Sequence, residues 1–297
     1  MKTASTSALP RFLAASVKAQ RRRYRKRLDR CREKFSESAV HELRIQTRRL
    51  LALLDLLQAL HPELSLRKTR KMFKRRLDAF DALRDTQVQL LLLKALRTDF
   101  PEVRELDAWL RRREGKLIVD LRKGIRAAKP ARLEKRLKAL EKALRKFSPL
   151  PASSETPPPF RTALEDAFAA VVTLRSAVRR RNTATIHRTR IAFKRYRYMA
   201  ELLRAYLPGA TSELLLRMRG YQTHMGDIQD MEVLLAGLAL AEKKDRLEAA
   251  PGRRLRFAVA RRRNQLVDDY LQAADELVDF DPSRLLQPAG ATRPTEP

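Results

Sequence analysis

Apolar residues recur every three to four positions along most of the chain, in blocks separated by prolines. Leu, Ala, Arg, Lys and Glu fill these blocks and β-branched runs are scarce, a pattern that favours helix. Pro10, Pro62, Pro101, Pro130, Pro208 and Pro251 fall between blocks, where they begin or end helices rather than interrupt them. The spacing predicts helices near 11–35, 38–60, 63–83, 86–98, 102–127 and 131–147. It predicts five more near 160–181, 185–206, 211–225, 230–247 and 252–278. Residues 148–159 (SPLPASSETPPP) read as an extended Pro/Ser linker, and 282–297 as a disordered tail. The expected fold is all-α, one domain over 8–280 with helical halves at 8–147 and 160–280.

One stretch occurs twice. Val40-His41-Glu42-Leu43-Arg44-Ile45-Gln46-Thr47-Arg48-Arg49 matches Ile186-His187-Arg188-Thr189-Arg190-Ile191-Ala192-Phe193-Lys194-Arg195, which runs on to Tyr196-Arg197-Tyr198. The two histidines lie 146 positions apart. A second landmark follows each copy: Arg84-Asp85 with Val88, and Gln229-Asp230 with Val233, offset by 145. Two landmarks at a nearly constant offset point to internal duplication. Long helices with short connections then predict two antiparallel bundles of four-helix type, related by a pseudo-twofold.

On a helical wheel, Arg190, Lys194 and Arg197 fall at roughly 300°, 340° and 280° from His187. Ile186, Phe193, Tyr196, Met199, Ala200 and Leu203 occupy roughly 120–260°. In the first copy His41, Arg44 and Arg48 share a face opposite Leu43, Leu50, Leu54 and Leu57. Arg49 and Arg195 sit at the border, about 80° round. Each helix is expected to bury one side in its bundle and to offer a basic line on the other. No Asp or Glu lies between Asn182 and Ala200, so nothing within that helix offsets the charge.

Composition sharpens this. The chain has 65 Lys and Arg against 35 Asp and Glu, a formal charge of +30. Such an excess repels itself unless a polyanion or counterions neutralise it. Nucleic acid, polyphosphate and anionic membrane surfaces are the matching partners. The single Cys31 excludes an intrachain disulfide framework and suits a reducing compartment. No apolar run is long enough to span a membrane, and Pro10 and Arg11 break any signal-peptide core, so a cytoplasmic location is expected.

Basic groups three and four residues apart lie about 5–6 Å from one another along a helix. From His187 to Arg197 the line runs roughly 15 Å, which suits a linear chain of anions better than one phosphate in a cup. Arginine offers forked donors for phosphate oxygens, and histidine a donor whose charge can be switched on. Metal binding is not expected: there is no His-x-x-x-His or Cys/His cluster, and guanidinium groups oppose a cation. His61 and His224 read as structural, and Asp85 and Asp230 as helix N-caps ahead of apolar runs. Arg67, Lys71 and Lys74 form a polar face opposite Phe73, Leu77 and Phe80 that is as easily a solvated face as a site. Nucleic acid is the alternative ligand, because Tyr198 falls near 20° on the basic face and could stack a base. Its counterpart Ala52 could not.

These two copies, each with its downstream landmark, resemble the CHAD family, the conserved-histidine α-helical domain. The resemblance covers about residues 8 to 280. It implies two four-helix bundles around a basic surface that binds inorganic polyphosphate and associates with polyphosphate granules. The residues it assigns to binding are His41, Arg44, Arg48, Arg49, His187, Arg190, Lys194, Arg195 and Arg197. Lys74 and Arg219, equivalent at the 145 offset, are secondary candidates. Two departures stand out: Leu51 where a further arginine is usual, and Asp81 where the second copy has Gly226. Both shift the expected binding towards the C-terminal half. No Walker-type loop or alternating Glu-x-Glu-x-Lys strand is present, and the stripe lacks the carboxylates that phosphoryl transfer uses to hold Mg²⁺. The expectation is a binder without catalysis, cofactor or metal.

Overall fold

In the computed structural model, which describes residues 8–101, 103–127, 130–147 and 158–288, the chain is all-α. Among the described residues the first half holds α1 (Leu9–Lys34), α2 (Glu37–Leu60), α3 (Arg67–Ala79), α4 (Asp81–Leu96), α5 (Val103–Ala127) and α6 (Pro130–Leu144). The second half holds α7 (Phe160–Ser176), α8 (Thr183–Leu203), α9 (Ser212–Glu242), α10 (Ala249–Gln272) and α11 (Pro282–Leu286). Most of the linker expected at 148–159, and the tail from 289, lie outside the described residues.

The starts of α2 and α9 are set by side chains. Ser36 accepts the Ala39 N–H at 3.3 Å ahead of α2, and Thr211 accepts the Leu214 N–H at 3.1 Å ahead of α9. The apolar faces read from the wheel are the buried ones. Leu43, Leu50, Leu54 and Leu57 of α2 are buried, as are Ile186, Phe193, Tyr196, Met199, Ala200 and Leu203 of α8. Aromatic rings lock α8 in place. Phe193 meets Tyr221 at 5.1 Å and Phe280 at 5.7 Å, Phe168 meets Tyr196 at 5.1 Å, and the Tyr196 hydroxyl donates to the Phe280 carbonyl.

In the first half α1 packs on α2 and α6, α2 on α3, and α3 on α6, with Arg21 of α1 bridging Glu134 and Glu141 of α6. In the second half α7 packs on α8, α8 on α9, and α9 on α10. The halves meet through α2 against α8 and α4 against α9. One large core runs from Leu9 through both halves to Leu285. A smaller one joins Leu93, Leu106 and Leu110 of the α4–α5 hairpin to Leu234, Leu238, Leu255 and Val259 of α9 and α10. That hairpin buries much of its apolar surface against the other half.

Three expectations are corrected. The segments expected at 211–225 and 230–247 are one helix, α9, of 31 residues; Gly220 and Gly226 lie within it without ending it. Asp85 and Asp230 are therefore not N-caps but interior residues of α4 and α9, whose starts lie earlier in the chain. The segment after Asp281 is ordered at its start. Asp281 accepts the Ser283 N–H at 2.8 Å, and Leu285 of α11 is buried against the large core. Gly209 lets α11 dock: its N–H donates to the Leu285 carbonyl at 3.0 Å, and a β-carbon there would stand 2.0 Å from the Arg284 carbonyl.

Candidate functional site

Packing α2 on α8 brings the two basic lines together and buries part of them; Arg48, His187 and Arg190 stay half-buried and His41 exposed. Arg44, Lys194 and Arg197 are 7%, 8% and 4% exposed. The line expected on an open face lies in the seam, because the partner helix covers it. At its centre is the Lys194 amine. The charges acting on it most strongly are Arg190, Arg48, Arg44 and Arg197, all of its own sign. Burial and these four guanidiniums pull the Lys194 ammonium down to about 5. Burial and Arg44 likewise lower Arg48, to about 10.

The histidines flank this cluster in matching ways. Burial and Arg84 hold His41 below the usual histidine range; burial and Arg190 do the same for His187. Arg84 and Gln229 stand just before the two aspartates of the second landmark. Arg84 acts on His41, and Gln229 acts on the His187 ring. The second landmark thus supplies a neighbour to each histidine, a role that position in the repeat alone could have signalled. Two buried polar atoms here, Nδ1 of His187 and Nε of Arg190, have no hydrogen-bond partner among the described residues.

The two halves treat matched arginines differently. Arg44 donates to the Leu77 carbonyl at 2.9 Å and pairs with Asp81 at 2.7 Å. Arg190 lies over Gly226, where a β-carbon would meet its guanidinium at 3.3 Å. The glycine makes room for Arg190, whereas Asp81 at the matching position neutralises Arg44. Arg197 is held by Gln222 at 3.0 Å and by Glu201.

Arg49 and Arg195 do something else. Arg49 of α2 pairs with Glu201 of α8 at 3.3 Å, and Arg195 of α8 pairs with Asp55 of α2 at 3.2 Å. Asp55 and Glu201 are themselves 146 positions apart. These are reciprocal clasps across the seam. Of the secondary candidates, Lys74 on α3 is exposed and pairs with Asp78 of its own helix, whereas exposed Arg219 lies 3.9 Å from Glu201, the carboxylate that also pairs with Arg49 and Arg197. Of the other histidines, His61 stacks on Phe147 at 4.2 Å.

The seam is not free of carboxylates, as the α8 sequence alone suggested. Asp81 and Asp85 of α4, and Asp227 and Asp230 of α9, act on its arginines. Burial raises Asp85, with Asp81 and Asp230 adding like charge; burial also raises Asp230, against the pull of Arg190 and Arg84. Among the described residues no three His, Cys, Asp or Glu side chains gather as a metal site.

The family model described as the CHAD domain matches residues 15–239, three quarters of the chain and both copies of the histidine motif. The chain belongs to the CHAD family. Its fold is similar to the crystal structure of the CHAD domain from the plant Ricinus communis, with a TM-score of 0.63 and 21% identity over 95% of this chain and 92% of that one. It is also similar to PptA from Streptomyces chartreusis, with a TM-score of 0.64 and 18% identity over 91% and 99%. At these identities the likeness establishes the shared fold. No curated protein matches the chain in sequence. As a CHAD protein it places its histidine helices against one another, and among the described residues no helix is long and apolar enough to cross a membrane. Tyr198, read from sequence as a stacking platform, is 5% exposed in this CHAD fold. Its ring lies 4.6 Å from the Arg197 guanidinium and 5.7 Å from that of Arg49.

Proposed function

We propose that this CHAD protein binds inorganic polyphosphate without turning it over, and through it associates with polyphosphate granules in the cytoplasm. The observation that carries this reading is the Lys194 amine buried among Arg44, Arg48, Arg190 and Arg197, with no ion pair of its own among the described residues. A site of that sign excess is completed by a ligand with several linked anions, and family membership supports polyphosphate as that ligand. His41 and His187 extend the line at the same seam. The nucleic-acid alternative loses its aromatic platform, since Tyr198 is enclosed by Arg49 and Arg197.

Titration with polyphosphates of increasing length, at several salt concentrations and against an oligonucleotide competitor, tests the proposal. Affinity is expected to rise with chain length, to fall with salt, and to resist nucleic acid at equal phosphate. Duplex or single strands winning that competition would refute it. Steady phosphate release in the presence of Mg²⁺ would refute the non-enzymatic part. Because Asp81 occupies Arg44, Asp81→Asn is expected to tighten binding about threefold, a modest gain because the Asp81 carboxylate is half exposed. The same titration measures it.

A further inference from the structure

Resting on the polyphosphate reading, we propose that binding is coupled to proton uptake at Lys194, which is an uncharged amine in the free protein and becomes an ammonium when a polyphosphate segment enters the seam. The geometry supplies the reason. Lys194 is 8% exposed, and no ion pair of it is found among the described residues. Helix α8 sets Arg190, Arg197 and His187 along its own face, and α2 faces it with Arg44 and Arg48. The amine also acts on His41 of α2. From α9 the acidic group it acts on is Asp230, which already answers Arg190 and Arg84. Helix α7 meets α8 through Phe168 against Tyr196, an apolar contact. Water can reach little of the amine, and four guanidiniums oppose a fifth positive charge, although Asp81 partly offsets Arg44 and Glu201 of α8 partly offsets Arg197. The shift of Lys194 to about 5 agrees with this arrangement.

A polyphosphate changes the balance because its internal phosphates stay anionic across the whole neutral and alkaline range. Placed among these arginines it cancels their field at the amine and offers oxygens to an ammonium. The step is a plain protonation: the amine lone pair takes one proton from buffer, and the resulting ammonium donates to phosphate oxygen. The linkage has a definite sign. The free form binds fewer protons than the complex wherever the pH lies above about 5 and below the ordinary lysine range. Affinity must therefore fall as pH rises there, by about tenfold per unit for one coupled proton. His41 and His187 add their own uptake near neutrality, so the Lys194 proton is read most cleanly near pH 9, where imidazole no longer contributes.

The experiment is calorimetric titration of the full chain with long-chain polyphosphate at pH 9 in two buffers of different ionisation enthalpy. Long chains keep terminal phosphates few. The expected result is an uptake near one proton per site, and an affinity that falls steeply between pH 7 and 9. Lys194→Met is expected to bind with no uptake at pH 9. Lys194→Arg, whose charge is present beforehand, is expected to take up no proton and to show a much flatter pH dependence. Polyphosphate binding by the native chain with no uptake at pH 9 would overturn the inference while leaving the functional reading intact, and so would uptake that persists in Lys194→Met. Absence of polyphosphate binding at every pH would instead overturn the functional reading, and this inference with it.

Discussion

Replacing Arg190, Lys194 and Arg197 together with alanine is expected to remove at least about three orders of magnitude of polyphosphate affinity. Each lost charge-assisted contact contributes on the order of 1.5–3 kcal/mol, and the salt dependence of what remains should flatten as phosphate contacts disappear. Arg190 has a buried Nε without a partner, Arg197 is steered by Gln222 and Glu201, and Lys194 lies between them along the helix. The core side of α8 is untouched by the change, since Phe193, Tyr196 and Met199 point into the aromatic cluster and the large core. Circular dichroism should therefore show native helix content while fluorescence or calorimetric titration shows no binding. Survival of affinity in that variant would mean the seam is not the site.

The second large effect is on stability, and it runs in the favourable direction. Lys194→Met is expected to raise the stability of the free protein by on the order of 3 kcal/mol at pH 7, seen as a higher Tm. In the unfolded chain this lysine has its ordinary basicity; in the fold its pKa is pulled down to about 5. The unfolded state thus binds more protons between those limits, and native stability rises with pH across that window. The penalty is complete below about pH 5 and fades as pH approaches the ordinary lysine value, so the advantage of Lys194→Met should shrink steadily above neutrality. Equilibrium denaturation at pH 6, 8 and 10 measures this directly. A variant no more stable than the native chain at pH 6 would show that the amine is not strained by its surroundings.

Much of the fold is written in local pattern. The buried faces of α2 and α8 follow from apolar spacing alone, and prolines mark most helix ends. Local pattern failed where a helix simply continued. Gly220, Gly226 and the acid at Asp230 look like a break followed by a cap, yet α9 runs through them, because neither glycine nor an interior aspartate stops a helix that is packed along its length. The site was legible as a repeat but not as a place. The offset picked out His41, Arg44, Arg48, His187, Arg190, Lys194 and Arg197, which do converge. It could not show that α2 and α8 cover each other's basic lines, because that depends on the packing of segments about 146 residues apart. The clasps were readable in principle: Asp55 and Glu201 share the offset of Arg49 and Arg195. Considering each helix alone hid them, and it also hid the carboxylates that α4 and α9 bring to the seam.

Those clasps have a consequence for how a ligand is received. Arg49 with Glu201 and Arg195 with Asp55 fix α2 against α8 from both sides, and Glu201 also ties Arg197 of the line to the first clasp. The receptor is therefore preorganised: its guanidiniums are gathered against their own repulsion during folding, not at the moment of capture. A flexible basic tail would lose ordering entropy each time it wrapped a polyanion, whereas here that loss is already complete before the first phosphate arrives.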